Sequence, residues 1–251
     1  MRTSSILGIP VEDQTKEEVL DKIKKYLQTA SQNHSDFFHI VSLNPEILVS
    51  AYENEKFREV VRSAQIRIRD GVGVAVAGKI LGVETGERFT GVELVEELLK
   101  YASDSERPVL LIGGLPKVAE SLAECYSQKF PSGTYLGIEG YQNIKKPTKE
   151  EEEAILSIIN DRTPQIVLAA FNSPDTELWL YDHRDKLKGM VCASVGGAFN
   201  YLSGTIRRPP LFIRKIGMEW LWRLITQPWR WRRQLRLIKF GYLVFRQKLG
   251  V

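Results

Sequence analysis

A carboxylate and a guanidinium precede two successive helix starts in this sequence, at Asp70 and Arg88. Asp70 follows a short alternating strand and directly precedes Gly71, where a helix is expected to begin. Arg88 comes two residues before Thr90, which has the Thr-x-x-Glu spacing of a capping box. Ligands of open α/β sheets bind beyond the carboxyl ends of the strands, so we expect both side chains at one site. There a carboxylate can accept a proton and a guanidinium can bind an anionic group.

Simpler structural roles stay open for these residues when each is considered by itself. Asp70 could cap the helix that follows it. Arg88 could form a surface ion pair with Glu84 or Glu87. Asn44, which comes directly before a proline, is placed to cap a further helix. The residue types and their spacing therefore indicate a binding site without assigning every role in it.

The elements that would position this site alternate between strands and helices over about the first 200 residues. Apolar runs bounded by turn signals predict strands that are buried on both faces, and amphipathic segments between them predict helices. This order predicts an α/β fold with a doubly wound, mostly parallel, Rossmann-like sheet. The predicted strands are 6–11, 37–42, 66–69, 108–112, 134–138, 165–171 and 191–195.

Three further loops follow predicted strands and are candidates for substrate binding. Gly113 begins a glycine turn that could bring a phosphate to a helix N-terminus, although it lacks the GxGxxG and GK[ST] spacings of nucleotide-binding loops. Thr176 lies in the acid-rich first turn of another helix. Gly196 and Gly197 close the last strand and lead to Asn200.

The composition is that of a globular protein with one large α/β domain, with or without an appendage. Only Cys125 and Cys192 are cysteines, and both lie in apolar segments, so we expect two buried thiols in a reducing cytosol. No Asp-x-Asp pair occurs that could hold a divalent metal, and we expect neither a metal nor a cofactor. We also expect no signal peptide and no membrane span, which would need an apolar run of roughly 18 residues.

Charge is distributed very unevenly along the chain. Residues 207–251 carry 12 Lys or Arg and one acid, a net charge of +11. The first 206 residues carry 23 basic and 30 acidic residues, a net charge of −7. We therefore predict a mildly acidic body at 1–206 and a basic helical appendage at 207–251, with a boundary at the Arg-Arg-Pro-Pro sequence.

The appendage contains four of the five tryptophans and a long amphipathic segment. We call one side of that segment the apolar stripe: Trp231, Leu235, Ile238, Tyr242, Phe245 and Leu249. Basic residues lie alongside at Arg232, Arg236, Lys239 and Arg246. Such a helix suits the headgroup region of an anionic membrane. The residues expected to act in the appendage or at the membrane are Arg207, Arg208, Arg214, Arg223, Arg230, Arg233, Trp229 and Trp231.

Two other interpretations of the appendage stay open. The apolar stripe could pack against the body or against a second copy of the chain in a homo-oligomer. The arginines could instead bind nucleic acid. Nucleic acid is disfavoured because it would not bury a broad apolar face and because no recognisable binding module is present.

Several motifs together resemble those of the WecG/TagA/CpsF family of bacterial glycosyltransferases, nearly end to end. They are ILGIP at 6–10, NPEI at 44–47, DGVG at 70–73, ERFTG at 87–91, SVGGAF at 194–199, RRP at 207–209, GMEWLWRL at 217–224 and QPWR at 227–230. The resemblance implies a Rossmann-like body and an inverting, metal-independent transfer of an N-acetylmannosamine-type or related hexose. The implied donor is a UDP-sugar and the implied acceptor is linked to undecaprenyl diphosphate. The implied location is the inner face of the cell membrane, in cell-surface polysaccharide or teichoic acid synthesis.

The resemblance also implies roles for particular residues. The family's proposed general base falls on Asp70, and its other polar site positions fall on Ser42, Asn44, Arg88 and Thr176. Arg214 and Arg223 could complete the site by offsetting the charge of UDP when the appendage closes.

Three positions depart from the family pattern. Ser42 stands where Thr is usual, Pro-Asp-Thr-Glu at 174–177 replaces Pro-Lys-Gln-Glu, and Asn200 replaces Asp. These departures keep a second hypothesis open, a membrane-associated UDP-sugar-binding or scaffold subunit without catalysis. A nicotinamide-dependent oxidoreductase is disfavoured because the fingerprint glycines are missing after the first strand.

Overall fold

The computed structural model describes residues 5–30, 36–228 and 231–251. Eight strands and twelve helices lie within these ranges. The strands are β1 (Ser5–Ile6), β2 (Ile9–Pro10), β3 (Phe38–Leu43), β4 (Ile66–Arg69), β5 (Val109–Gly113), β6 (Tyr135–Ile138), β7 (Ile166–Ala170) and β8 (Val191–Ser194). The helices are α1 (Lys16–Ala30), α2 (Pro45–Glu53), α3 (Glu55–Ser63), α4 (Val72–Leu81), α5 (Gly91–Asp104), α6 (Val118–Lys129), α7 (Lys149–Arg162), α8 (Asp175–Asp182), α9 (Ala198–Leu202), α10 (Leu211–Lys215), α11 (Glu219–Thr226) and α12 (Trp231–Leu249).

Strands β3 to β8 form one six-stranded sheet in which every neighbouring pair is parallel. Their order across the sheet is β4-β3-β8-β7-β5-β6. Side chains alternate between the two faces of a strand, and buried apolar clusters cover both faces. One face packs against α1, α5, α6 and α9, and the other against α2, α3, α4, α7, α8 and α12. The predicted doubly wound, mostly parallel α/β fold is confirmed.

The prediction of a single first strand at 6–11 is wrong. The chain there forms β1 and β2, an antiparallel hairpin outside the main sheet in which Ile6 pairs with Ile9. Leu7 and Gly8 both have positive φ, at 51° and 78°. Positive φ at both central residues is what a two-residue type I′ turn requires. The apolar residues of this segment suggest one continuous strand, but the turn at Leu7 and Gly8 reverses the chain direction.

Side-chain caps begin the helices that follow β3 and α4. Asn44 caps α2, and its Oδ1 accepts a hydrogen bond from the N–H of Ile47 at 3.0 Å. The capping role left open for Asn44 is therefore confirmed. Thr90 caps α5 in the predicted reciprocal box with Glu93.

Cys125 is exposed, so the expectation that it is buried is wrong. Helix α6 turns Val118, Leu122 and Tyr126 toward the core. Cys125 lies at the edge of that buried side and remains exposed to solvent. Cys192, in β8, is buried as expected, and neither thiol of the described structure forms a disulfide.

Helix α12 packs against the body along one side. Phe240, Leu243 and Val244 are buried in a cluster with α2, α4 and the β1–β2 hairpin. Gln247 accepts a hydrogen bond from the N–H of Leu7 at 2.8 Å, and its amide donates to the carbonyl of Ser5 at 2.9 Å. The last helix therefore contributes to the core of the body. The boundary at 206/207 stays a prediction.

The apolar stripe lies on the other side of α12 and faces solvent. Its six residues are between 53% and 72% exposed. The interpretation that the stripe packs against the body is therefore wrong, because a separate set of apolar residues makes that contact. Alongside the stripe, Arg236 donates to the hydroxyl of Ser50 at 3.0 Å and Lys239 pairs with Glu53.

The structure describes only some of the other residues that were predicted to act in the appendage or at the membrane. Trp229 and Arg230 lie outside the described residues, and so do the side chains of Arg232 and Arg233. Arg207 is exposed, and Arg208 forms an ion pair with Glu96 at 3.7 Å. Within the described ranges, no helix is both long enough and apolar enough to cross a membrane.

Candidate active site

A cavity of about 900 Å³ opens beyond the carboxyl ends of all six strands of the main sheet. The predicted site residues that line it are Ser42, Asn44, Asp70, Arg88, Gly113, Gly196, Gly197, Asn200 and Arg223. The cavity wall, as far as the structure describes it, does not include Thr176, Arg207, Arg208, Arg214 or Trp231. Most of the predicted loops at strand ends therefore meet at one cavity, and their role in substrate binding stays a prediction.

Asp70 stands at the end of β4, beside the loop that follows β3. Its N–H donates to the carbonyl of Leu43 at 3.0 Å. A Cβ on Gly73 would lie 2.6 Å from Cγ of Pro45, so glycine is needed for the two loops to approach this closely. Helix α4 begins after Gly71, which is its N-cap and has no side chain with which to cap. The capping role left open for Asp70 is therefore wrong, and the residue lines the cavity instead.

The environment of Asp70 changes its acidity. Burial raises the pKa of this carboxyl to about 6, against the opposing effect of the Arg223 and Arg88 charges and a hydrogen bond from the backbone of Gly91. The negative charge of Glu219 adds to the increase. At neutral pH the carboxylate is ionised, and its basicity is higher than that of an exposed aspartate. A pKa closer to the working pH suits a general base.

Arg88 joins the loop after β4 to the appendage. Its Nε donates to the carbonyl of Asp70 at 3.1 Å, and its Nη1 donates to the carbonyl of Arg214 at 2.9 Å. Its Nη2 forms an ion pair with Glu219 at 2.8 Å. The alternative left open for Arg88, a surface ion pair with Glu84 or Glu87, is wrong, because the described partner is Glu219. Arg88 holds α10 and α11 against the body while its side chain lines the cavity.

Among the arginine side chains of the appendage that the structure describes, Arg223 lines the cavity, whereas Arg214 contributes its carbonyl to Arg88. The Nε of Arg223 donates to the hydroxyl of Tyr201 at 2.7 Å, and the guanidinium stacks 4.9 Å from the centre of that ring. Both Nη atoms lie 4.0 Å from the position that a Cβ on Gly197 would occupy. A cation is therefore held between the glycine loop after β8 and Asp70, whose charge it stabilises.

The comparison with protein families matches this chain over residues 4–251 to the model described as the glycosyl transferase WecG/TagA/CpsF family. The chain belongs to this family. It is similar to two proteins that are each named N-acetylglucosaminyldiphosphoundecaprenol N-acetyl-beta-D-mannosaminyltransferase. The first, from Bacillus spizizenii, is 29% identical over 91% of this chain and 87% of the relative. The second, from Staphylococcus aureus, is 28% identical over 92% of this chain and 87% of the relative.

Several polar atoms of this glycosyltransferase face inward without a partner. Oγ of Ser42 and Oδ1 of Asn200 are buried and accept no hydrogen bond within the described residues. Both residues line the cavity. Buried polar groups normally have partners, so these two atoms are consistent with a polar ligand. The described part of the chain contains no group of three His, Cys, Asp or Glu side chains arranged to hold a metal ion.

Thr176 does not lie where a substrate could touch it. Its side chain is fully buried, and its hydroxyl donates to the carbonyl of Asn172 at 2.9 Å and accepts from the N–H of Phe171 at 3.0 Å. Both hydrogen bonds stabilise the loop between β7 and α8. The neighbours Asp175 and Glu177 line the cavity instead. In this glycosyltransferase the loop thus presents two carboxylates, and the threonine between them is structural.

Glu177 is a site residue that the sequence analysis did not identify. Its side chain is 2% exposed, and its Oε2 has no hydrogen-bond partner among the described residues. Burial raises the pKa of Glu177 to about 7, against the lowering effect of its own backbone and of the Ser194 and Ser173 hydroxyls. The signal that could have identified it is an acid in the first turn of a helix after a buried strand. That signal does not show which way the side chain points.

Replacing Glu177 with Gln is expected to stabilise the protein at pH 8 and to leave its stability unchanged at pH 4. The pKa of this glutamate is higher in the folded than in the unfolded protein, so its ionisation destabilises the fold as the pH rises from about 4.5 to about 7. This pKa difference corresponds to roughly 3 kcal/mol in the free energy of unfolding. Thermal unfolding at the two pH values measures it, and an equal shift in melting temperature at both would contradict the burial argument.

Proposed function

We propose that this glycosyltransferase moves a hexose of the N-acetylmannosamine type from a UDP donor to a sugar linked to undecaprenyl diphosphate. Both relatives are named for an acceptor of this kind. The observation that carries the proposal is Asp70, a carboxylate with a raised pKa on the wall of a cavity that Arg88 and Arg223 also line. A base and two cations on one cavity suit transfer from a diphosphate leaving group.

In the proposed reaction Asp70 acts as the general base. The hydroxyl oxygen of the acceptor forms a bond to the anomeric carbon of the donor, and its proton passes to the Asp70 carboxylate. The bond from that carbon to the diphosphate oxygen breaks, and UDP leaves with the electron pair. Attack on the face opposite to UDP inverts the anomeric configuration.

The negative charge that develops on UDP would be stabilised by groups of the chain itself. Arg88 and Arg223 provide two guanidinium groups, which bind phosphate oxygens in bidentate geometry. The N-terminus of α4, at Gly71, adds backbone N–H groups and the positive end of a helix dipole. The proposed transfer therefore proceeds without a divalent metal.

A transfer assay tests this proposal directly. The purified protein is incubated with a panel of UDP-sugars and an acceptor in which N-acetylglucosamine is linked through diphosphate to a short lipid, with and without EDTA. We expect one donor to be used, EDTA to have no effect, and the new linkage to have inverted configuration by NMR. If UDP binds but no sugar is transferred, the hypothesis of a non-catalytic UDP-sugar-binding subunit replaces the proposal.

We further propose that the protein docks peripherally on the inner face of the cell membrane through the apolar stripe. The stripe is exposed along the whole of α12, and further exposed apolar residues lie on α10 and α11. The acceptor proposed above is a lipid, so docking would bring the cavity to its substrate. Basic residues of the appendage would strengthen binding to anionic headgroups.

Replacing Ile238 and Phe245 together with Asp is expected to weaken binding to phosphatidylglycerol vesicles by at least about ten-fold, because two apolar side chains lose burial in the membrane. The melting temperature should stay unchanged, because both side chains are exposed in the folded protein. Vesicle sedimentation measures the binding. Light scattering in solution tests whether a second copy covers the stripe instead. An oligomer that the substitutions dissociate, with vesicle binding unchanged, would contradict membrane docking.

A further inference from the structure

An apolar groove between α4 and α12 continues the cavity away from Asp70. Its walls are Val72, Val76, Ala77 and Ile80 of α4 and Leu237, Phe240, Gly241 and Val244 of α12. From Val72 to Ile80 the groove extends about 12 Å along the helix axis. Val76 and Ile80 are 52% and 44% exposed, although they line a cavity. Within the described structure these two side chains are therefore incompletely covered.

Gly241 is the unusual residue in this groove. It lies within the 19-residue helix α12, where glycine is less favourable than alanine because it loses more backbone freedom on folding. An added Cβ would meet no described atom within 4 Å. Its φ is also outside the positive region that favours glycine. Neither packing nor backbone conformation explains the glycine, but the missing side chain keeps the groove open.

The two ends of the groove differ in chemistry. Gly241 lies three residues after Ile238 and four before Phe245, so it is next to both on the helix surface. The groove therefore adjoins the apolar stripe. At its other end it meets Asp70 and the guanidinium groups of Arg88 and Arg223, which line the same cavity. A ligand that complements both ends has an anionic head and a long apolar chain.

We propose that this groove holds the first isoprene units of the acceptor's polyprenyl chain and that Gly241 sets its width. The inference rests on the proposed function, which provides a polyprenyl diphosphate as the carrier of the acceptor sugar. The polyprenyl chain would leave the acceptor's diphosphate beyond the acceptor sugar, pass between α4 and α12, and reach the surface beside the apolar stripe. A UDP-sugar has no apolar chain of this kind, which assigns the groove to the acceptor.

Filling the groove tests the inference. Gly241→Leu narrows it, Gly241→Ala adds a single methyl group, and Ser121→Leu adds leucine at an exposed position of α6 outside the cavity. The acceptors are N-acetylglucosamine diphosphates that carry either a farnesyl or an ethyl group. The assay contains no vesicles, so membrane docking does not contribute to the result.

We expect Gly241→Leu to raise KM for the farnesyl acceptor by roughly ten-fold or more, because apolar contact is lost. The KM values for the ethyl acceptor and for the donor should stay the same. Gly241→Ala should melt at a higher temperature and should raise the farnesyl KM less than Gly241→Leu does, whereas Ser121→Leu should keep wild-type kinetics. An unchanged farnesyl KM, or an equal loss with both acceptors, would overturn the inference.

A direct binding measurement separates this inference from the proposed function. Farnesyl diphosphate is titrated calorimetrically into the wild-type protein and into Gly241→Leu, with no sugar transfer involved. If no form of the protein transfers sugar, the proposed function fails, and weaker binding of farnesyl diphosphate to Gly241→Leu still supports an apolar-chain site. Equal affinity in the two proteins would contradict the groove whatever the activity.

Discussion

Replacing Asp70 with Asn is expected to lower kcat for sugar transfer by about 10²- to 10⁴-fold, the range that general bases contribute. Asparagine has nearly the same size but cannot take the proton of the acceptor hydroxyl. The affinity for UDP should change little, because Arg88 and Arg223 are still present to bind the diphosphate. Initial rates and calorimetric titration of UDP measure the two quantities. Asp104→Asn, at an exposed position of α5, is the matched control.

The pH profile provides a second readout of the same assignment. Burial raises the pKa of Asp70 to about 6, and the base must be deprotonated to act. The wild-type kcat/KM should therefore rise as the pH increases through about 6 and then level off. The residual activity of Asp70→Asn should lack this dependence. Wild-type kcat in the variant, or an unchanged acid limb, would identify another group as the base.

Loss of activity in Asp70→Asn should not reflect unfolding. The folded protein binds the proton of this carboxyl more tightly than the unfolded chain does, because its pKa is raised from 3.8 to about 6. Ionisation therefore destabilises the fold as the pH rises across that interval. At pH 8 the neutral asparagine should melt at the same temperature as the wild type or higher.

Deleting residues 207–251 is expected to unfold the body, although the charge pattern marks this segment as an appendage. Phe240, Leu243 and Val244 would be lost from the cluster that covers α2 and α4. Each contributes roughly 1.5–3 kcal/mol through burial. Their sum approaches the total stability of about 5–15 kcal/mol that is typical of a folded protein. Urea unfolding followed by circular dichroism measures the effect, and the truncated chain should show no cooperative transition.

The double variant of Ile238 and Phe245 is the control for this deletion, because it changes only the exposed side of the same helix. It should unfold at the wild-type urea concentration. A truncated protein with a cooperative transition near that of the wild type would show that 207–251 is a separable domain. The boundary predicted at 206/207 would then be correct in structure as well as in charge.

Local signals in the sequence were sufficient for most of the fold and for the position of the site. Buried strands, capping boxes and the Asp-Gly step at 70–71 are each short-range patterns that the structure reproduces. In a parallel sheet the loops after all strands meet at one edge. For that reason Asp70 and Arg88 could be placed together before any contact was known. The exception was the hairpin at 5–10, where positive φ at Leu7 is not apparent from hydrophobicity.

Tertiary structure decided where side chains point and which residues they contact. Thr176 and Glu177 are adjacent, yet one bonds to its own loop and the other lines the cavity. Which of the two side chains lines the cavity depends on where α8 begins and on how α8 packs against the sheet. The ion pair of Arg88 with Glu219 joins residues 131 positions apart, and no local pattern reports it.

By itself the sequence determined the α/β class, the edge of the sheet at which the cavity lies, the presence of Asp70 at that edge, and the family. Tertiary structure decided which side of α12 is buried, that Arg223 and not Arg214 lines the cavity, and the raised pKa values of Asp70 and Glu177. The physical reason is the range of the interactions. Periodicity and capping act within a few residues of the chain. Burial and charge–charge interactions instead sum over every group packed nearby, whatever its position in the sequence.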